Sequence, residues 1–326
     1  MINLTLLAGL GNQMFQYAYA RALSEEFNDP DIVINQYYNN IYRIYGVING
    51  SSPDILDVSL AKFVLNPNVH WRNPITGYPD AISKIVPGAM IRLGILKPNT
   101  DAEKYKKQTA KGKFHFLDKG STYYSHENCN KKNKSVYGWF ASELFFDKIR
   151  PIMLKEFQFK EEPTESKNRE MIAELSSCNS VCIHIRRGDI VNTKYEKIFH
   201  RAGEEYYKMG VKYILSHTKD PVFYVFSNNH NDIEWIKKNY DFEVPVKYVD
   251  LNNPGFEDLR LMYHCKHFII AQSTFSWWGS YMAQNDDKIV IAPEVKAPTW
   301  VKDTSMSDWY RKDMIRLHSE AEEENK

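Results

Sequence analysis

The apolar positions of this chain change period several times, and each change marks an element. Ile2-Asn-Leu-Thr-Leu-Leu-Ala8 is a short apolar run that predicts a buried strand. Met14, Phe15, Ala18, Tyr19 and Ala22 recur at helical spacing and predict a helix over 14–27, with Gly9-Leu-Gly-Asn-Gln13 as a tight turn between the two. Ile32-Val-Ile34 predicts a second strand. Beyond it Pro53, Pro67, Pro74, Pro79, Pro87 and Pro98 break the chain into short helices and loops. Tyr137-Gly-Trp-Phe-Ala-Ser-Glu-Leu-Phe-Phe146 predicts a strand that enters a helix.

The second half alternates more regularly. Strands are predicted at 181–185, 222–226, 246–249, 267–271 and 289–291, with helices over 201–217, 231–240, 256–265 and from 275 onward. Repeated βα units of this length imply a parallel sheet covered on both faces. The polar stretch Lys160-Glu-Glu-Pro-Thr-Glu-Ser-Lys-Asn168 reads as a linker and sets the expected domains at 1–162 and 163–326. A last helix is predicted over 307–323, able to pack on either domain, and no internal repeat is present.

Composition narrows the class. A chain of 326 residues exceeds one comfortable core and suits two domains of about 150 residues. With 43% hydrophobic and 25% charged residues it has the make-up of an ordinary soluble protein. Its 42 basic and 41 acidic residues leave a net charge of +1, which gives no electrostatic footprint for nucleic acid, so an anion would have to be bound locally. The 21 tyrosines and 7 tryptophans suit core packing or the stacking of sugars and bases. No apolar run approaches the roughly 18 residues of a membrane span, and Met1-Ile-Asn-Leu-Thr5 has neither a basic start nor a cleavage site. The expectation is a cytoplasmic protein without a transmembrane segment.

Cys129, Cys178, Cys182 and Cys265 show no metal spacing and read as small core hydrophobes. The sequons at Asn3, Asn49 and Asn133 carry no weight in a reducing compartment. Lysines gather between Lys104 and Lys134; such a run is a solvated face or a peripheral contact with a membrane surface or acidic glycan.

The candidate chemistry lies at strand ends. Val181-Cys-Ile-His-Ile-Arg-Arg-Gly-Asp189 ends an apolar run in one histidine, two arginines, a glycine and an aspartate. In open α/β sheets ligands bind beyond the carboxyl ends of the strands, and guanidinium forks there suit a phosphate or carboxylate. Ser227, Asn228 and Asn229 follow the next strand, and Gln272, Ser273, Thr274 and Ser276 follow a later one that runs into a helix. A helix N-terminus, hydroxyls and guanidinium together describe a phosphate site. Phe275 is suited to cover a flat ring; Asp258 serves either as an acceptor for a base or ribose or as a first-turn helix acid. The loop Gly9-Leu-Gly-Asn-Gln13 fails as a dinucleotide fingerprint because Met14 holds the third glycine position. Asp29-Pro-Asp31, the candidate metal pair, precedes a strand and reads as a turn.

Gly9-Leu-Gly-Asn-Gln13, Gly138-Trp-Phe140, His184-Ile-Arg-Arg-Gly-Asp189, Ser227-Asn228, Asp258 and Ser273-Thr-Phe-Ser-Trp-Trp278 stand in the order of the inverting α-1,2-fucosyltransferases, and the chain resembles that family from residue 3 to the helix after Trp278. The resemblance implies an α/β fold of GT-B type, two Rossmann-like domains facing a cleft, the C-terminal one a doubly wound parallel sheet. It implies transfer of L-fucose from GDP-fucose to the 2-hydroxyl of a terminal galactoside on an oligosaccharide or lipid-linked glycan, with no metal and no cofactor beyond the donor. Arg186 and Asp189 would be catalytic. Asn12, His184, Arg187, Asn228, Asp258, Ser273, Thr274 and Phe275 would bind the donor, and Gln13 and Trp139 the acceptor. The base stays open between Asp189 and His184. Ala141 departs from the family's frequent glutamine, and shorter pieces of the pattern are similar to α-1,6- and protein O-fucosyltransferases. A catalytically silent nucleotide-sugar or glycan-binding module is the reading from another class.

Overall fold

A computed structural model describes residues 1–37, 59–92, 102–116, 123–188, 191, 200–294 and 306–321. The chain divides into two compact units: Met1–Lys160 with Val301–Trp309, and Glu161–Trp300 with Tyr310–Lys326.

In the first unit, strands β1 (Ile2–Thr5), β2 (Ile32–Asn35), β3 (Val69–Trp71), β4 (Lys113–Phe116) and β5 (Lys134–Gly138) form one sheet in the order β3-β2-β1-β5-β4. Every pairing in it is parallel, with Ile2 opposite both Ile32 and Lys134. The described helices are α1 (Leu10–Glu26), α2 (Pro74–Arg92), α3 (Ala102–Thr109) and α4 (Arg150–Glu156). Helix α1 is buried nearly all round, which requires its polar residues to be satisfied internally. Tyr17 donates to Glu156 Oε2 at 2.5 Å and Arg21 Nε donates to Glu156 Oε1 at 2.9 Å, so the buried carboxylate of α4 is held from α1.

In the second unit, β6 (Asn179–His184), β7 (Pro221–Phe226), β8 (Val246–Tyr248), β9 (His267–Ile269), β10 (Val290–Glu294) and β11 (Met314–His318) form a six-stranded sheet in the order β11-β10-β9-β6-β7-β8, again parallel throughout. Its described helices are α5 (Ser166–Ser177), α6 (Glu204–His217), α7 (His230–Asn239), α8 (Gly255–Tyr263) and α9 (Thr274–Met282). One face of the sheet packs Val181, Ile183, Phe223, Val225 and Ile269 against Tyr207, Val211, Ile214, Ile233 and Ile236 of α6 and α7. Strands covered on both faces read as continuous apolar runs, which is why these were legible.

The strand order of the second sheet reverses once, between β6 and β9. Such a switch point opens a crevice at the carboxyl edge of a doubly wound sheet. In the first sheet β1 and β5, far apart in the chain, lie side by side.

Four sequence expectations need correction. Helix α1 starts at Leu10, four residues early, because the chain has already turned at Ala8 (φ 59°) and Gly9 stands at the N-cap. The stretch 137–146 does not pass from strand into helix: β5 stops at Gly138 and short 3-10 turns precede α4. The expected linker shrinks, since Ser166 to Asn168 already belong to α5. The final helix over 307–323 is instead a 3-10 turn (Met306–Trp309) followed by β11. Ile315 and Leu317 pack on the core while Met314 pairs with Val290, so the open edge of β10 supplied the hydrogen bonds that decided strand over helix.

Candidate active site

The carboxyl ends of β6 and β7 are tied to each other. Ile185 N–H donates to Phe226 O at 3.0 Å and Ser227 Oγ donates to Ile185 O at 2.7 Å. From α6 the Tyr207 hydroxyl donates to His184 O at 3.2 Å. The Asn228 carboxamide oxygen accepts from the N–H of Arg187 at 3.0 Å and of Gly188 at 3.3 Å. Gly188 is required for this approach: a Cβ there would lie 2.9 Å from both Asn228 Cβ and Asp232 Oδ2. Asn229 caps α7 through Asp232 N–H at 3.0 Å. Ser227 and Asn228 therefore shape the turn that carries the arginines.

The two arginines are not equivalent. Arg187 is 6% exposed, and its guanidinium carbon lies 3.2 Å from the ring centroid of Trp235 on α7. Arg186 is half-buried in the turn itself. His184 is buried and its ring centroid is 5.8 Å from that of Phe275, across the β6–β9 switch point.

On the β9 side, Ser273 is buried and caps α9, its hydroxyl oxygen accepting from Phe275 N–H at 3.3 Å. Thr274 and Phe275 are half-buried in the first turn. The Phe275 ring lies beside the start of α8, 3.9 Å from where a Cβ of Gly255 would sit. Asp258, on the first turn of α8, accepts from Asn253 Nδ2 at 3.1 Å. Burial pushes its carboxyl up to about 7 against the Asn253 hydrogen bond, helped by the negative charges of Glu257 and Asp250. The second sheet thus brings His184, Arg186, Ser273, Thr274 and Phe275 to one switch point, with Asp258 on the adjoining helix.

Asp189 lies outside the described residues. Sequence reading missed Trp235, Tyr207 and Asn253, whose parts follow only from contacts distant in the chain. It also missed His200, whose N–H donates to Gln272 Oε1 at 3.2 Å and whose Nε2 is 2.8 Å from Ser319 Oγ. Burial pushes that imidazole down to about 4, so it is neutral at physiological pH.

Asn12, Gln13 and Trp139 belong to the first unit. Gln13 is fully buried, with Nε2 donating to Ala8 O at 2.9 Å, while Gln16 holds both Leu7 N–H and Leu7 O; these amides fasten the β1–α1 loop. Asn12 is half-buried, with its N–H on Gly9 O at 3.0 Å. Trp139 is half-buried just after β5, its N–H donating to Phe116 O at 2.9 Å. Gly138 before it has φ 149°, and a Cβ would stand 1.8 Å from Phe116 O, so only glycine fits. The β1 and β5 ends are neighbours at the carboxyl edge of the first sheet.

Asp29 and Asp31 sit at the amino ends of strands. Asp29 is held by the Met1 amine at 2.8 Å and by Lys134, and Asp31 lies 3.6 Å from His70. Among the described residues one set of metal-capable side chains gathers: His230, Glu234 and Asp250, with ligand atoms within 4.8 Å of one another. It is partly exposed, and its members are already paired, His230 with Asp250 at 2.6 Å and Glu234 with Lys237 at 2.7 Å. No described helix is long and apolar enough to cross a membrane.

Known proteins resemble this chain over most of its length. The model of glycosyl transferase family 11 matches residues 79–317. The α-1,2-colitosyltransferase of Escherichia coli is 31% identical over 301 residues, 88% of this chain and 89% of that protein. The O-antigen biosynthesis glycosyltransferase WbnK of Escherichia coli is 30% identical over the same length, 88% and 92% of the two. A galactoside 2-α-L-fucosyltransferase of Caenorhabditis elegans is 31% identical over 118 residues, 33% of this chain. The crystal structure of the fucosyltransferase NodZ from Bradyrhizobium matches with a TM-score of 0.50 at 11% identity, covering 91% of this chain and 96% of that one, a likeness of fold alone. The expected fold class, two Rossmann-like domains of GT-B type with a doubly wound second sheet, is borne out.

Proposed function

The chain belongs to glycosyl transferase family 11, and on that premise we propose that it transfers L-fucose from GDP-fucose to the 2-hydroxyl of a terminal galactoside, with inversion and without a metal. The observation that carries the reading is the meeting of the His184–Gly188 turn and the α9 N-terminus at the switch point of the second sheet. A nucleoside diphosphate needs a cation and free N–H groups for its phosphates and a surface for its base. Arg186 and the first turn of α9 supply the former, and Phe275, His184 and Asp258 the latter.

Glycosyl transfer builds negative charge on the departing diphosphate while the sugar passes through an oxocarbenium-like state. Arg186 acts there as a fixed cation, since Arg187 is seated on Trp235 and serves the shape of the turn. The Asp29 and Asp31 pair stands at the amino ends of strands beside Met1, Lys134 and His70 and is assigned no part in the transfer. Asp189 or His184 removes the acceptor proton; His184, buried beside Phe275, fits donor contact better.

The colitosyltransferase relative favours a second reading, with colitose as the transferred sugar. One assay separates them: GDP release is followed with GDP-fucose or a colitose donor, over a panel of galactosides, with and without chelator. Arg186→Ala is expected to lower kcat/KM by about 10²–10³. Absence of turnover with either donor, or an unaffected Arg186→Ala variant, refutes the proposal.

A further inference from the structure

The first unit carries a carboxylate at its own ligand-binding edge. Thr5 and Asn35, the last residues of β1 and β2, are 2% and 1% exposed, yet both side chains donate to Oδ2 of Asp80 on α2. The Asn35 Nδ2 distance is 2.8 Å and the Thr5 Oγ1 distance 3.4 Å. Asn35 is used completely: Nδ2 also donates to Gly77 O at 3.0 Å, and Oδ1 accepts from Tyr37 N–H at 3.0 Å. Helix α2 is thereby clamped over the strand ends, and the Tyr37 and Tyr78 rings meet 4.7 Å apart alongside. Tyr78 is 40% exposed and Asp80 is half-buried.

Position and chemistry agree. Asp80 is held by the last residues of the adjacent parallel strands β1 and β2, so it stands at the carboxyl edge of the first sheet, where open α/β sheets bind ligands. A carboxylate accepts hydrogen bonds from neutral hydroxyls more strongly than an amide does, and an aromatic face beside it suits the C–H face of a sugar. Accepting from Asn35 and Thr5 does not need a charge; an amide oxygen at that place does the same.

We infer that Asp80 binds a hydroxyl group of the glycan acceptor and is a specificity-determining residue of the first unit; this rests on the glycosyltransferase reading above. The Asp80→Asn variant keeps the clamp and removes the charge. With GDP-fucose as donor and methyl β-galactoside as acceptor, the acceptor KM is expected to rise about ten- to hundredfold, the loss of one charge-assisted hydrogen bond. GDP affinity by calorimetry stays within about twofold, because Asp80 is held by Thr5 and Asn35 in the first unit, whereas the 184–188 and 273–275 turns lie in the other. An unchanged acceptor KM overturns the inference and leaves Asp80 as a helix clamp. A similar loss of GDP affinity overturns it too, since that reports general damage. If Asp80→Asn does not fold, Asp80→Glu, which keeps the charge but displaces it by one methylene, decides by the same two readouts. Calorimetry on the wild-type protein tests the underlying reading separately: without GDP binding there, the donor site itself is refuted.

Discussion

At the scale of single residues, Asp258 couples folding stability to pH. Its folded-state carboxyl titrates at about 7, raised by burial and by the charges of Glu257 and Asp250, whereas an unfolded aspartate titrates near ~3.9. The protonated form is favoured in the folded state, so its contribution to stability is full below the unfolded value and is lost as pH rises through about 7. Asp258→Asn removes that loss while Asn253 keeps an oxygen to donate to. In urea denaturation the variant is expected to match the parent at pH 4 and to exceed it by about 1–2 kcal/mol at pH 8, after allowance for solvent screening. A difference independent of pH contradicts the assignment. The arginine pair teaches the complementary lesson: adjacent in sequence, one lies on an indole and the other stays in the turn.

At the scale of elements, α9 has to hold Thr274 and Phe275 in place, and its far end explains how. Trp277, Trp278 and Tyr281 are fully buried, with Trp277 stacked on Tyr281 at 5.0 Å. Arg311, 5% exposed just before β11, lies 4.9 Å from the Trp277 ring centroid and donates to Ser280 Oγ at 3.1 Å and Trp277 O at 3.3 Å. It also pairs with Asp313 at 2.9 Å; burial alone would raise that carboxyl, but the guanidinium holds it below its usual range. The C-terminal strand and α9 are therefore one packing unit. Arg311→Ala should destabilise the second unit by about 3 kcal/mol, because it strands a partly buried carboxylate and removes the anchor of α9. Chemical denaturation checks this, and a loss within about 0.5 kcal/mol, the range of an ordinary surface substitution, counts against it.

At the scale of the whole molecule, two parallel sheets each belong to their own compact unit, and the second has a switch point between β6 and β9. Adding GDP should slow amide hydrogen exchange at 185–188 and 273–276 and leave 138–140 unchanged; protection confined to the first unit would place the donor in the wrong sheet. The apolar runs of β6, β7 and β9 and the entry of Ser273–Ser276 into α9 were legible in the sequence, because burial on two faces and a polar stretch after a strand are local signals, whereas the demands that fix glycine at 138 and 188 come from Phe116 and Asn228, distant in the chain. The repeated βα pattern likewise determined a parallel second sheet, and the grouping of polar residues after its strands marked the candidate site at the carboxyl edge that the structure brings together. Tertiary structure alone decided the rest. Whether Ile315 and Leu317 lie on a strand depended on the free edge of β10. Which arginine stays in the turn depended on Trp235, 48 positions away from Arg187 along the chain. That Asp80 is gripped by Thr5 and Asn35 depended on three elements converging. Local sequence specifies backbone preference and burial period, whereas the partners of a side chain are set by strand order and helix packing, which join residues far apart along the chain.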